Sequence, residues 1–174
     1  MTWNRNQVRT KRRIDYPILE VLRDCRKAAG LDARRRPRSS KPRVLFVEDD
    51  TDTRELVSFV LTRENYEVQL ADNAEQGALL AQSRPYDLYL IDNWMPGTNG
   101  IDLCIRLREV DAHTPILFFS GAAYEEDKRA AMAAGAQGYL TKPAGIEELL
   151  AEVSRVISAA RSAAAQLRVF EVSA

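Results

Sequence analysis

The chain has 174 residues, 45% apolar and 29% charged. That length suits one domain with extensions, and the composition is that of a globular protein. No apolar run approaches the roughly 18 residues of a membrane span. The basic N-terminus lacks the apolar core of a signal peptide, so a cytoplasmic chain with no membrane partner is expected. Cys25 and Cys104 lie far apart without metal-like spacing, which suits reduced apolar fillers rather than a disulfide or zinc site.

The formal charge is zero, from 25 basic and 25 acidic residues, but the charges are segregated. Residues 1–43 hold 14 Lys/Arg against 4 Asp/Glu, leaving 11 against 21 for residues 44–174. Such a split predicts two parts that attract each other or meet different partners.

In chain order, residues 1–42 read as a basic extension. Asp15 and Pro17 can open a helix over 15–29, with Ile18, Leu19, Val21, Leu22 and Cys25 on one face and Gly30 at its end. Residues 30–42, dense in Arg, Pro and Ser, read as a linker. Val44 to Val47 is an apolar run ending in Glu48, Asp49 and Asp50, the pattern of a buried parallel strand. A helix follows, with Asp52 as its expected cap and Leu56, Val57, Val60 and Leu61 as its stripe, ended by Asn65. Tyr66–Leu70 reads as a strand and Ala74–Ala81 as a helix. Tyr86–Ile91 reads as a strand ending at Asp92. A turn-rich loop, Asn93 to Gly100, leads to a third helix through Leu103 and Leu107. Pro115–Ser120, a helix from Glu125 to Ala134, a short strand from Gly138 to Leu140 and a last helix from Ile146 complete the series.

Five strands alternating with helices predict an α/β fold: a doubly wound, flavodoxin-like, five-stranded parallel sheet covered on both faces. Asp49, Asp92, Ser120 and Lys142 each lie at the C-terminal end of a different strand. In such a sheet those ends share one rim, where ligands bind. Glu48, Asp49 and Asp92 offer hard oxygen ligands suited to Mg²⁺. A carboxylate beside the metal can attack phosphorus, with Ser120 and Lys142 offsetting the phosphoryl charge. No Gly-rich loop of the Gly-Lys-Ser/Thr type is present, which disfavours nucleotide hydrolysis. His113, the only histidine, reads as a surface-loop residue rather than a phosphodonor.

The order Val-Glu-Asp-Asp, Leu-Ile-Asp-Asn-Trp-Met-Pro-Gly, Phe-Ser-Gly and Tyr-Leu-Thr-Lys-Pro resembles the receiver domain of bacterial two-component response regulators, over about residues 43–158. The resemblance implies that Asp92 accepts phosphate from a histidine kinase or histidine phosphotransfer protein. It implies Mg²⁺ ligation by Asp49, Asp92 and the Trp94 backbone carbonyl, with Glu48 completing the acidic pair. It gives Ser120 and Lys142 the hydroxyl and lysine roles and makes Ser120 and Tyr139 the switch. It also implies a cis bond at Lys142–Pro143. The chain is then a phosphoacceptor, not an enzyme, that assists its own phosphorylation and dephosphorylation. Trp94 is expected to shield the acyl phosphate, and Gly121 to leave room for the donor.

No output domain is visible after residue 158, so a stand-alone switch acting through protein contacts is the expectation. Residues 159–174 read as a helical extension or tail, and this or the N-terminal helix offers a homodimer surface. The alternative is a nucleic-acid-binding regulator that uses its basic arm under receiver control. No aromatics interleave with those arginines to stack on bases, which favours the first reading.

Overall fold

The computed structural model describes residues 41–122 and 124–172. The expected helix over 15–29 and the linker up to residue 40 lie outside the described residues.

The strands are β1 (Arg43–Val47), β2 (Glu67–Ala71), β3 (Leu88–Ile91), β4 (Ile116–Ser120) and β5 (Gly138–Thr141). They form one sheet in the order β2-β1-β3-β4-β5, and every pairing is parallel. The helices are α1 (Thr51–Arg63), α2 (Ala74–Ser83), α3 (Gly100–Val110), α4 (Glu125–Ala133) and α5 (Ile146–Val172). Side chains alternate across a strand, so each apolar strand feeds two cores. Val44, Phe46, Leu88, Leu90 and Phe119 pack with Val57 and Leu61 of α1 and Leu149, Val153 and Val156 of α5. Leu45, Val47, Tyr89, Ile91 and Phe118 pack with Ala78 of α2, Leu103 and Leu107 of α3 and Ala131 of α4.

Local chemistry sets the boundaries. Asp50, not Asp52, caps α1: its backbone is extended and its carboxylate accepts from Thr53 N at 2.8 Å. Asp52 falls inside the first turn, where a negative charge meets the helix dipole. Asn73 and Asn99 cap α2 and α3 through their side chains. Asn65 and Gly135 adopt positive φ of 68° and 104° after α1 and α4, the left-handed turn that ends a helix. Leu56, counted with the α1 stripe, and Leu79 of α2 are 56% and 53% exposed. Each lies on the far side of a helix that covers only one sheet face.

The helix α5 outruns the sheet. Up to residue 166, its last buried apolar residue is Ile157, and residues 161–166 are exposed. Arg161 is tied back to Asp87 at 2.9 Å, and Asp87 also accepts from Arg43 N at 2.8 Å. Arg43 at the start of β1 and Arg161 of α5 therefore meet one carboxylate, at the strands' N-terminal edge.

The α3–β4 turn is held by Asp111. Its carboxylate accepts from His113 N and Thr114 N at 3.0 Å, from Thr114 Oγ1 at 2.7 Å and from Tyr89 OH at 3.0 Å. Burial pushes this carboxyl up, but the bonds from Thr114, His113 and Tyr89 outweigh it and hold it below its ordinary value. A group depressed in the folded state stabilises above its unfolded pKa, and that contribution fades as pH falls through the folded value. Asp111→Ala is expected to cost about 1–3 kcal/mol at neutral pH. Chemical denaturation across pH should show the gap between parent and variant closing below about pH 4, the ordinary aspartate range. A gap independent of pH would rule out the ionised acceptor.

Candidate functional site

In the strand order, β1 lies between β2 and β3, and the connections from β1 and β3 leave toward opposite faces. A crevice opens at such a switch point, outside the strands' carboxyl ends. Glu48 and Asp49 follow β1 and Asp92 follows β3. Their carboxylate oxygens lie within 4.8 Å of one another. Glu48 and Asp92 are buried, at 1% and 5% exposure.

Lys142, directly after β5, supplies the counter-charge. Its Nζ is 2.6 Å from Glu48 Oε2 and 3.8 Å from Asp92 Oδ1. Burial pushes the Glu48 carboxyl up, and the bond from Lys142 pulls it back only in part. The Lys142 ammonium also lies 5.2 Å from the centre of the Phe119 ring. Ser120 closes β4, paired with Thr141, the residue before Lys142. It is fully buried, and its Oγ accepts from Ala122 N at 3.3 Å. The hydroxyl of half-buried Tyr139 donates to Ala122 O at 2.6 Å. Its ring stacks on Phe118 at 5.6 Å and 4°. The Lys142–Pro143 bond is cis.

Trp94 is 68% exposed. With Asp49, Asn93, Met95 and Asp127 it lines an open cleft of about 570 Å³. Gly100 lets α3 start hard against β3: its N donates to Asn93 O at 3.0 Å, and a Cβ there would collide with the Asp92 carbonyl oxygen. A Cβ on Gly121 would meet open space, consistent with room beside Ser120. His113 is exposed in the α3–β4 loop, as its sequence context predicts.

Three neighbours of the site were not singled out from sequence. Arg54, in the first turns of α1, bonds the carbonyls of Glu48 and Asp49. Asn93 is a buried amide at the end of β3, and Asp127 reaches the cleft from α4. Only Asn93 had a readable signal, being a polar residue directly after the candidate phosphoacceptor. The other two depend on how helices sit over the rim.

The donor set fits a small hard cation. Three carboxylates face one ammonium, an excess of negative charge that a divalent ion offsets. Asp92 Oδ1 is buried without a hydrogen-bond partner, and so is Asn93 Oδ1. Orphaned buried oxygens are costly unless something meets them. Asp49 and Asp92, with Glu48 behind them, are the residues that would hold Mg²⁺, beside Trp94.

Comparison with known proteins agrees with this geometry. The family model for the response regulator receiver domain matches residues 44–154. The response regulator ArlR of Staphylococcus epidermidis is 37% identical over 114 residues, 66% of this chain and 52% of that protein. The cell cycle transcriptional regulator CtrA of Caulobacter vibrioides is 36% identical over 115 residues, 66% of this chain and 50% of that protein. The chain thus spans about half the length of these relatives. Among solved structures, the chemotaxis protein CheY4 of Vibrio cholerae superposes with a TM-score of 0.65 at 32% identity, covering 67% of this chain and 99% of that one. The HemR receiver domain of Leptospira biflexa gives a TM-score of 0.65 at 30% identity, covering 68% and 95%. With the fold, the acidic cluster and the matched residues in agreement, the chain belongs to the response regulators of two-component systems, through a receiver domain.

Proposed function

We propose that this receiver is a phosphorelay switch. Asp92 takes a phosphoryl group from a histidine kinase or a histidine phosphotransfer protein, with Mg²⁺ present, and the output is a change in protein contacts. The observation that carries the reading is the meeting of Glu48, Asp49, Asp92 and Lys142 from the ends of three strands, with one buried Asp92 oxygen left without a hydrogen-bond donor.

In the proposed reaction an Asp92 carboxylate oxygen attacks the phosphorus of a phosphohistidine. The new P–O bond forms as the P–N bond breaks, and the electron pair stays with the departing imidazole. Mg²⁺, held by Asp49 and Asp92 with the Trp94 backbone carbonyl, would supply positive charge against the phosphoryl oxygens. Lys142, already 3.8 Å from Asp92, takes a second phosphoryl oxygen as a flexible point charge. The Ser120 hydroxyl donates to a third. Phosphoryl transfer needs mainly positioning and charge stabilisation, so no further catalytic group is required. The chain is then the kinase's substrate and a partner in its own turnover rather than an enzyme acting on others.

The switch runs through the contacts already made by Ser120. Turning its hydroxyl toward a phosphoryl group alters its bond with Ala122, whose carbonyl holds Tyr139. The phosphoryl group thereby shifts the balance between two arrangements of Tyr139 and the adjoining surface of α4, β5 and α5.

A second reading rests on the charge split, in which residues 1–43 carry 14 basic against 4 acidic side chains. Under it the basic arm binds nucleic acid and the receiver controls it. Steeply salt-dependent binding to unspecific DNA would favour this output.

Incubation with a small acyl phosphate tests the first reading. Labelling is expected to require Mg²⁺ and to vanish in Asp92→Ala. Lys142→Ala should slow it by about a hundredfold, the scale of losing one preorganised donor. Labelling that persists without Mg²⁺ or without Asp92 would rule the reading out.

Trp94 supplies a further test through the decay of the label. Its exposed indole stands over the cleft beside Asp49, where it hinders approach of water. Trp94→Ala is expected to dephosphorylate faster than the parent, and an unchanged decay rate would remove the shielding role.

A further inference from the structure

Arg54 grips the acidic loop from behind. Its own backbone belongs to α1, with Arg54 N bonded to Asp50 O at 3.0 Å. The side chain turns back over the loop that precedes the helix. Nη1 donates to Glu48 O at 2.7 Å and to Asp49 O at 3.0 Å, while Nη2 donates to Thr51 Oγ1 at 3.2 Å. A single guanidinium therefore orients two consecutive peptide planes, those that follow Glu48 and Asp49.

The choice of partners is informative. Three carboxylates gather nearby, yet among the described residues Arg54 forms no ion pair. A cation placed for charge alone would pair with a carboxylate. This one gives its donors to neutral carbonyls, which fixes backbone direction and, through it, the aim of both carboxylates. Nη1 meets both carbonyls and Nη2 the hydroxyl, so the rigid guanidinium plane fixes all three donor directions relative to one another, which a freely rotating ammonium on a shorter reach does not. The grip also engages two carbonyl oxygens that would otherwise be available as hard ligands, leaving the carboxylates to face the cleft.

We propose that Arg54 is a positioning residue for the cation site: its clamp on the Glu48 and Asp49 carbonyls holds their carboxylates toward Asp92 and sets the affinity for Mg²⁺. The inference rests on the reading of the acidic cleft as a Mg²⁺ site. It also predicts a sign opposite to that of simple electrostatics. A guanidinium beside a cation site repels the incoming ion, so deleting it should strengthen binding if charge were its only effect. Groups that orient metal ligands behave the other way, and their loss weakens metal affinity by about 10- to 100-fold.

Titration of the full chain with Mg²⁺ alone separates the two. The chain has two tryptophans, so Trp3→Phe is carried throughout and fluorescence reports Trp94, which shares the cleft with Asp49. Arg54→Lys keeps the charge and loses the fork, whereas Arg54→Gln loses both. Both are expected to bind Mg²⁺ at least about tenfold more weakly than the parent. Melting without metal confirms that each variant is folded, and if Arg54→Gln is not, Arg54→Lys decides alone. Unchanged affinity in Arg54→Lys, or tighter binding in Arg54→Gln, would overturn the inference while the cleft remained a Mg²⁺ site. A lower melting temperature with unchanged affinity would make Arg54 structural only and overturn it equally. A parent that binds no Mg²⁺ would remove the reading of the cleft and this inference with it.

Discussion

Three carboxylates held within 4.8 Å of one another, two of them buried, constrain everything around them. Adjacent negative charges repel, and burial raises the cost of each. Among the described residues, Lys142 offsets this charge by an ion pair to Glu48 at 2.6 Å, with a longer one to Asp92. That leaves the cluster short of positive charge and Asp92 with an oxygen that nothing donates to. A fold built for stability alone would not assemble this. The sheet bears the strain because its strands are apolar on both faces, so two cores anchor the rim independently of what happens at its edge.

Parallel pairing is what brings the groups together. Glu48, Asp92 and Lys142 are separated by 44 and 50 residues in the chain, yet each directly follows a strand of one sheet. Helices then finish the placement. Gly100 allows α3 to start against the Asp92 carbonyl, and Arg54 of α1 clamps the loop that carries Glu48 and Asp49. On the β4–β5 side, Ala122 joins Ser120 and Tyr139 through its N–H and C=O. Under the proposed function, that single residue links the chemistry at the rim to the orientation of an aromatic on the outer strand.

The sequence made much of this legible, and the physical reason is periodicity. Strands buried on both faces read as continuous apolar runs, so Val44–Val47, Leu88–Ile91 and Ile116–Ser120 stood out together with the acids and hydroxyl that end them. The cap of α1 was misplaced because Asp50 and Asp52 are equally good cap residues; the backbone turn at Asp50 decides between them. Leu56 was assigned to the apolar stripe of α1 although that helix buries only a narrow face, through Val57, Val60 and Leu61. Arg54, Asn93 and Asp127 escaped notice because their roles depend on contacts between side chains and distant backbone. Such contacts leave no spacing pattern in the chain.

The central claim is that the phosphoryl group resides on Asp92 rather than on the carboxylates beside it. Reductive trapping tests this directly: borohydride converts an aspartyl phosphate to homoserine, and peptide mass spectrometry locates the converted residue. After Mg²⁺-dependent labelling of the full chain, homoserine at position 92 is expected, with Glu48 and Asp49 unchanged. Conversion at position 48 or 49, or none in a chain that carries label, would contradict the assignment of Asp92 as the phosphoacceptor.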